Sequence, residues 1–414
     1  MTEQSATVRP APDPQNGVPT GTRPRLPRNV IALSLVSLFN DASSEIIYPL
    51  LPLFLTTYLR ASASAIGVIE GAAETTAAIL KLASGWWSDR IGSRKPLVVA
   101  GYTLAAVVRP LVAFAQGVGQ VLAIRVSDRV GKGIRTSPRD ALLADSVAKE
   151  QRGRAFGLHR AADHLGAVIG PLTAFAVLRW TTLDLRTLFL LAAIPGALAV
   201  IALIVGVKEP ARVAPPPART AQTPRLDTKM PPRFWAYLVV LLIFTLGNST
   251  DAFLLLRASQ LGVATALIPI LWAMLHIVKA TTSTPSGTLS DRIGRTPLII
   301  TGWLLYAAVY IAFAYAHATW HAWALFAAYG VYFGLTEGVE KALVADLVPA
   351  ARRGAGYGWY NLAIGLGALP ASVIFGMIWD RSGPGAAFTF GAAMSAIAAV
   401  GLVVVLSGRR PITE

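Results

Sequence analysis

The chain has 414 residues, of which 54% are hydrophobic and 14% charged, with a mean hydropathy of +0.54. Such a balance excludes a soluble protein of this size, because most of the chain needs lipid as its solvent. The formal net charge of +15 needs a cause, and the absence of cysteine removes disulfides and thiolate metal sites.

The chain opens with Met1 to Arg28, rich in Pro, Thr and Arg and without an apolar core. It is not a cleavable signal peptide and reads as a disordered cytoplasmic tail, residues 1–29. Apolar runs of the length that crosses a bilayer, roughly 20 residues, then recur between short polar turns. They fall near 30–58, 64–87, 96–116, 119–144, 155–179 and 186–207. A segment with Ala214-Pro215-Pro216-Pro217 and several basic residues, 208–232, has the composition of a solvated linker. Six more runs follow near 233–256, 265–288, 297–316, 320–346, 355–379 and 385–407, and a short tail, 408–414, ends the chain. None shows the ten-residue alternation of an outer-membrane strand, so an all-α membrane protein of twelve helices in two six-helix bundles (30–207 and 233–407) is expected.

Arg and Lys set the orientation. Arg23, Arg25 and Arg28, then Arg90, Arg94 and Lys95, then Lys149, Arg152 and Arg154 fall on one side of these spans. So do the linker, Arg292 and Arg295, Arg352 and Arg353, and Arg409 and Arg410. The alternate loops are poor in charge, so both termini are expected in the cytoplasm of a multi-pass inner-membrane protein. The net charge is then topology and not a nucleic-acid footprint.

The halves repeat each other. Gly85-Trp86-Trp87-Ser88-Asp89-Arg90-Ile91-Gly92 recurs as Gly287-Thr288-Leu289-Ser290-Asp291-Arg292-Ile293-Gly294, and Asp145 with Arg152-Gly153 recurs as Asp346 with Arg353-Gly354. Internal duplication is a mark of secondary transporters. The stretch from Gly85 to Leu97 resembles the Gly-x-x-x-Asp-Arg-x-Gly-Arg-Lys signature of the major facilitator superfamily, and Gly287 to Leu298 resembles its second copy. Arg129-Val130-Gly131-Lys132-Gly133 is similar to the fourth-helix Arg-x-x-x-Gly motif, with Lys132 where many members carry Gln. Gly166-Ala167-Val168-Ile169-Gly170-Pro171 resembles the fifth-helix Gly-x-x-x-Gly-Pro motif of drug and metabolite antiporters. The resemblance implies two bundles rocking about a central site.

The residues support that reading independently. Asp89 and Asp291 at helix ends are suited to hold a neighbouring Arg or an adjacent helix dipole, which would form a latch between bundles. Gly166 and Gly170 on one face allow close helix contact, and Pro171 removes a backbone donor. Pro49 and Pro52 loosen the first helix where a gate can move.

Ionisable residues inside the spans are the informative anomaly, since each is costly when unpaired in lipid. At about 100° per residue, Glu70, Glu74 and Lys81 share a stripe, as do Arg125, Arg129, Lys132 and Arg139, with Asp128 close by. Asp41 and Glu45 share a face with Ser37 and Tyr48, and Arg160, Asp163 and His164 share another. The second half carries Asp251, His276, Lys279, Glu337, Glu340 and Lys341. Static bridges such as Glu74 with Arg109 or Asp128 with Arg129 are one use of these groups. Five stripes together require a hydrated cavity.

Asp41, Glu45, Glu74, Asp163 and His164 are the proton-coupling candidates by type and depth. Arg129, Lys132, Arg125, Tyr48, Glu337 and Lys341 are the substrate-binding candidates. The expectation is a monomeric secondary transporter, without a cofactor, that exports a small anionic or zwitterionic solute against the proton gradient. Uptake by proton symport, metal export from Asp41, Glu45, Asp163 and His164, and a non-transporting sensor are the alternatives. No nucleotide-binding loop or His-Glu-x-x-His stands in the chain, so neither an enzyme nor an ATP-driven pump is expected.

Overall fold

The computed structural model describes residues 26–90, 93–148, 151–209, 230–349 and 352–407. All regular structure among them is helical. The first half contains α1 (Arg28–Thr57), α2 (Ala63–Arg90), α3 (Lys95–Phe114), α4 (Val118–Asp145), α5 (Arg152–Trp180) and α6 (Leu185–Gly206). The second contains α7 (Pro232–Gln260), α8 (Thr265–Ile293), α9 (Arg295–Ala314) and α10 (Thr319–Leu347). A final run, Arg353–Ser407, is interrupted at Gly383, whose φ is +83°, and so divides into α11 (353–382) and α12 (384–407). Only glycine takes that backbone conformation without strain.

Among the described residues, nine helical runs are long and apolar enough to cross a membrane, the joined α11 and α12 counting as one. α4 and α10 fall outside that set because charged residues along α4, and tyrosines, glycines and acids along α10, lower their hydropathy. With these included, twelve helices stand where twelve spans were expected.

The same helix pairings build both halves: α1 on α5, α2 on α4 and α3 on α4 recur as α7 on α11, α8 on α10 and α9 on α10. The halves meet along α2 and α11, and again along α5 and α8. Small residues permit the first seam. A Cβ on Gly67 would lie 2.1 Å from the Ser372 carbonyl oxygen, and one on Gly376 would lie 2.6 Å from that of Ala63. Backbones this close are the usual means of helix association where lipid offers no hydrophobic drive.

Among the described helices α1, α6 and α7 are interrupted, α6 only by a turn at Ala192. α1 passes through a 3₁₀ turn, Tyr48–Leu50, at Pro49, as the sequence suggests. α7, expected as one continuous span, loses its helix between Gly247 and Ala252. Irregular backbone at that depth is tolerated only inside protein or against a wet cavity, and Asn248 to Asp251 line such a cavity, with Tyr48 opposite.

We call the end of the bundle that bears the 208–232 linker the linker end. At the far end the last segment of α1, Leu51–Thr57, packs on Ala252–Gln260 of α7. There Asp380 on α11 accepts hydrogen bonds from the amides of Ala63 (2.9 Å) and Ser64 (2.8 Å), the first residues of α2. A carboxylate from one half therefore caps a helix of the other.

Candidate substrate cavity

α4 brings most of the charge to the centre, and its neighbours sort that charge into pairs. Arg109, at the end of α3, donates to Asp128 Oδ1 through Nη2 at 2.9 Å and Nε at 3.2 Å, and to Ser43 Oγ at 2.9 Å. Arg125 grips both oxygens of Glu70 on α2, at 2.9 and 2.6 Å. Arg129 Nε lies 3.0 Å from Glu74 Oε1, an ion pair by distance without hydrogen-bond alignment, and its Nη1 lies 3.6 Å from Asp128. Of the bridges the sequence suggested, Asp128 with Arg129 is present at 3.6 Å, although Arg109 holds Asp128 more closely, and Glu74 takes Arg129 in place of Arg109. A group with two orphan oxygens in a buried bundle recruits every cation in reach.

Beyond these pairs lies a polar cavity of about 450 Å³, bounded by α1 to α5, α8 and α10. A second cavity of about 510 Å³ shares Lys81, Asp140, Arg160 and Lys341 with it and extends toward the linker end, past Leu82 and Asn361. The cavity brings together Asp41, Glu45, Asp163 and His164 of the proton-coupling candidates, and Arg129, Lys132, Glu337 and Lys341 of the substrate candidates. Glu74 lines the two cavities beside it, and Tyr48 lines the one at the α7 break. Arg125 lines none of these and is held against Glu70, with its guanidinium 5.5 Å from the Tyr48 ring centre.

The carboxylates on the wall have different partners. Asp163 accepts from Ser37 Oγ and lies 3.6 Å from Arg160. Asp41 accepts from Asn40 Nδ2 at 2.8 Å. Glu45 accepts from the indole of Trp272 on α8, at 2.8 Å, which joins the two halves. Asp140 is paired with Arg139 (2.8 Å) and Glu337 with Lys279 (2.7 Å). A hydrogen bond to a neutral donor leaves a carboxylate free to exchange a proton with cavity water, whereas an ion pair opposes it.

The motif residues also have places. Gly166 and Gly170 seat α5 against α1: a Cβ would lie 2.4 Å from the Leu38 carbonyl oxygen and 2.6 Å from that of Ala42. This contact carries Asp163 to Ser37. Pro171 continues α5 beyond it. Gly294 has φ +92° and ends α8. Asp291 pairs with Arg295 one turn on, and Arg295 reaches Asp346, so this copy of the motif ties α8, α9 and α10 within the second half. Arg292 is exposed, and a Cβ on Gly287 would meet open space. Gly85 faces Ser137 of α4. The side chains of Asp89 and Arg90, and Gly92, lie outside the described residues.

The sequence reading passed over Arg135. It is 4% exposed, lines the cavity, and holds its guanidinium 4.2 Å above the Tyr102 ring. Its position three residues after Lys132 and four before Arg139 places it on the same helical stripe, which is the signal that would have found it.

A family model described as the Major Facilitator Superfamily matches residues 33–338 and 252–414. The chain belongs to that superfamily. It is 34% identical over 387 residues to an uncharacterized MFS-type transporter of Methanocaldococcus jannaschii, covering 92% of this chain and 95% of that one. A multidrug resistance protein, MdtH, of Aeromonas hydrophila is 29% identical over 140 residues, 34% of this chain and 35% of its own. Among solved structures, a D-xylose–proton symporter superposes with a TM-score of 0.74 at 18% identity, over 91% of this chain and 96% of that chain. As a superfamily member, the protein is a multi-pass membrane transporter and not an enzyme. It moves a small molecule by alternating access of its two bundles, which are in contact at the far end in this structure.

Proposed function

We propose that this transporter exports a small organic anion across the inner membrane in exchange for protons, as a monomer with its linker end in the cytoplasm. One observation carries the reading. The main cavity is lined by nine Lys and Arg side chains against five carboxylates. With Arg109 and Arg129 matched by Asp128 and Glu74 just outside this wall, the remaining excess of two positive charges in a low-dielectric surrounding is costly until an anion enters. Among the described residues, Lys81, Lys132, Arg135 and Lys341 have no carboxylate within ion-pair distance, and three of the five carboxylates are already given to Arg139, Arg160 and Lys279.

Proton coupling rests on Asp41 and Glu45, which face the cavity one turn apart and accept only neutral donors. Held by neutral donors and facing the cavity, they are placed to exchange a proton with its water. Glu45 also bonds Trp272 of the other half, so the charge at this pair bears on how the halves meet. The export direction is supported by the α5 glycine motif and by the partial likeness to a multidrug resistance protein. The orientation is supported by the basic residues of the linker end.

Proteoliposomes with an imposed pH difference test this. Efflux from the linker-end compartment of one of a panel of labelled organic anions should be driven by protons moving the other way. Asp41→Asn with Glu45→Gln should abolish that drive while anion exchange at equal pH persists. Proton-driven movement of the anion in the same direction as the proton would make the protein an uptake symporter, and full ΔpH-driven flux in the double variant would relocate the proton site to Glu74 or to Asp163 and His164.

A further inference from the structure

We propose that Arg135 is the residue that recognises the cargo, as a preformed fork for a two-oxygen acidic group, a carboxylate or a phosphate. The proposal rests on the anion reading above and assigns it to one side chain, whose Nη2 makes a two-donor edge with either Nε or Nη1. Arg135 is almost wholly buried, yet its Nε and Nη1 have no hydrogen-bond partner. An unsatisfied guanidinium in a bundle interior is strongly unfavourable, and such groups in native proteins mark a missing ligand or a functional strain.

The surroundings hold Arg135 in this state. The guanidinium carbon lies over the Tyr102 ring, 4.2 Å from its centre, and the ring restrains it there. Gly101 makes the space, since a Cβ there would lie 2.7 Å from Arg135 Cβ. Each acid that faces the cavity is occupied: Asp140 by Arg139, Asp163 by Ser37 and Arg160, Glu337 by Lys279, Asp41 by Asn40, and Glu45 by Trp272. Among the described residues no carboxylate lies within ion-pair distance of Arg135. Lys132, one turn earlier on the same helix and without a carboxylate partner among the described residues, adds a second positive charge to the same wall. Arg129 is engaged by Glu74 and Asp128. The planar fork of Arg135 suits two coplanar oxygens, which Lys132 alone would hold only as a point charge.

The test uses the full chain in detergent, with benzoate and inorganic phosphate as probes and benzylamine as the cation control. At least one anion should raise the thermal midpoint of the wild-type protein, and Arg135→Gln should weaken that anion about tenfold or more. Arg135→Lys should weaken it less. Retention of the wild-type affinity in Arg135→Gln overturns the proposal while the anion reading stands. Stabilisation by benzylamine and by neither anion overturns both. Binding of neither anion, with no effect of the amine, overturns the proposal and leaves the flux experiment to decide the wider reading. Should the variants fail to fold, phenylglyoxal labelling of Arg135 in the wild-type chain, read by peptide mass, should be slowed by the anion that binds; labelling indifferent to that anion also overturns the proposal.

Discussion

The two halves share a ladder of positions but fill it with opposite chemistry. Arg94 and Arg295, and Asp145 and Asp346, stand 201 residues apart. At that spacing Arg109 corresponds to Tyr310, Arg125 to Phe326, Asp128 to Tyr329, Lys132 to Phe333 and Tyr102 to Trp303. Where the first half has ion pairs, the second has stacked rings: Tyr306 and Tyr310 lie 4.1 Å apart, Phe244 and Trp303 4.6 Å, and Tyr329 and Tyr332 5.4 Å. Its buried carboxylates are held by neutral donors. Glu340 accepts from Trp303 (2.9 Å) and Tyr360 (2.8 Å), and Asp251 from Tyr329 (2.7 Å). One fold thus admits two solutions to a buried polar centre, and the difference teaches that duplicated geometry leaves the chemistry of each half free. The first half lines the main cavity with charge, whereas Trp303, Tyr306, Tyr310 and Tyr329 are fully buried in the core of the second half.

The sharpest way to break this contrast is to remove its central anion. Asp128 is 2% exposed and touches Arg109, with Arg125 and Arg129 within 4 Å. Asp128→Ala leaves buried cations without compensation and should cost about 3–5 kcal/mol. The matching change in the second half, Tyr329→Phe, removes one hydrogen bond and should cost about 1 kcal/mol. Thermal unfolding of both in the same detergent reads the difference, and equal losses would mean that the ion network is no more structural than the ring stack.

A smaller effect separates the two kinds of glycine. Gly170→Ala drives a methyl toward the Ala42 backbone and Glu45 Cβ, 2.6 and 2.9 Å away, and should destabilise by about 1–3 kcal/mol. Gly287→Ala, whose methyl meets open space inside α8, should be neutral or slightly stabilising. Expression level and thermal midpoint of the pair test whether the α5 motif is a packing device. The smallest change is expected for Asp291→Asn, because the Asp291–Arg295 pair is well exposed and such pairs contribute less than about 1 kcal/mol. A larger midpoint loss would give this surface tie a role in holding α8, α9 and α10.

Much of this was readable from residue order. Apolar run length gave the twelve spans, and a 100° projection placed Asp41, Glu45, Lys132, Asp163 and Lys341 on cavity-facing stripes. Partner choice was not readable: a projection along single helices does not say that Arg109 reaches Asp128 or that Arg129 reaches Glu74, which the packing of α3 and α2 against α4 decides. The break of α7 at Asn248 to Asp251 also escaped, although Gly247-Asn248-Ser249-Thr250-Asp251 is an uninterrupted run of turn-forming residues that marks it. Arg135 was overlooked for a different reason. Its place on the stripe of Lys132 and Arg139 was readable, but its lack of a partner was not, because a missing contact leaves no trace in a sequence.

The cap that Asp380 places on α2 has a consequence for timing. The amides of Ala63 and Ser64 are satisfied by a residue of the opposite bundle, not by their own. When the far end parts, these two donors lose their acceptor together and must find water at once. Solvent entry and separation are thereby fused into one event, because a dry opening would strand two amides. The proton exchange of these two amides with solvent would then count the openings of the far end, one residue pair serving as the tally of the transport cycle.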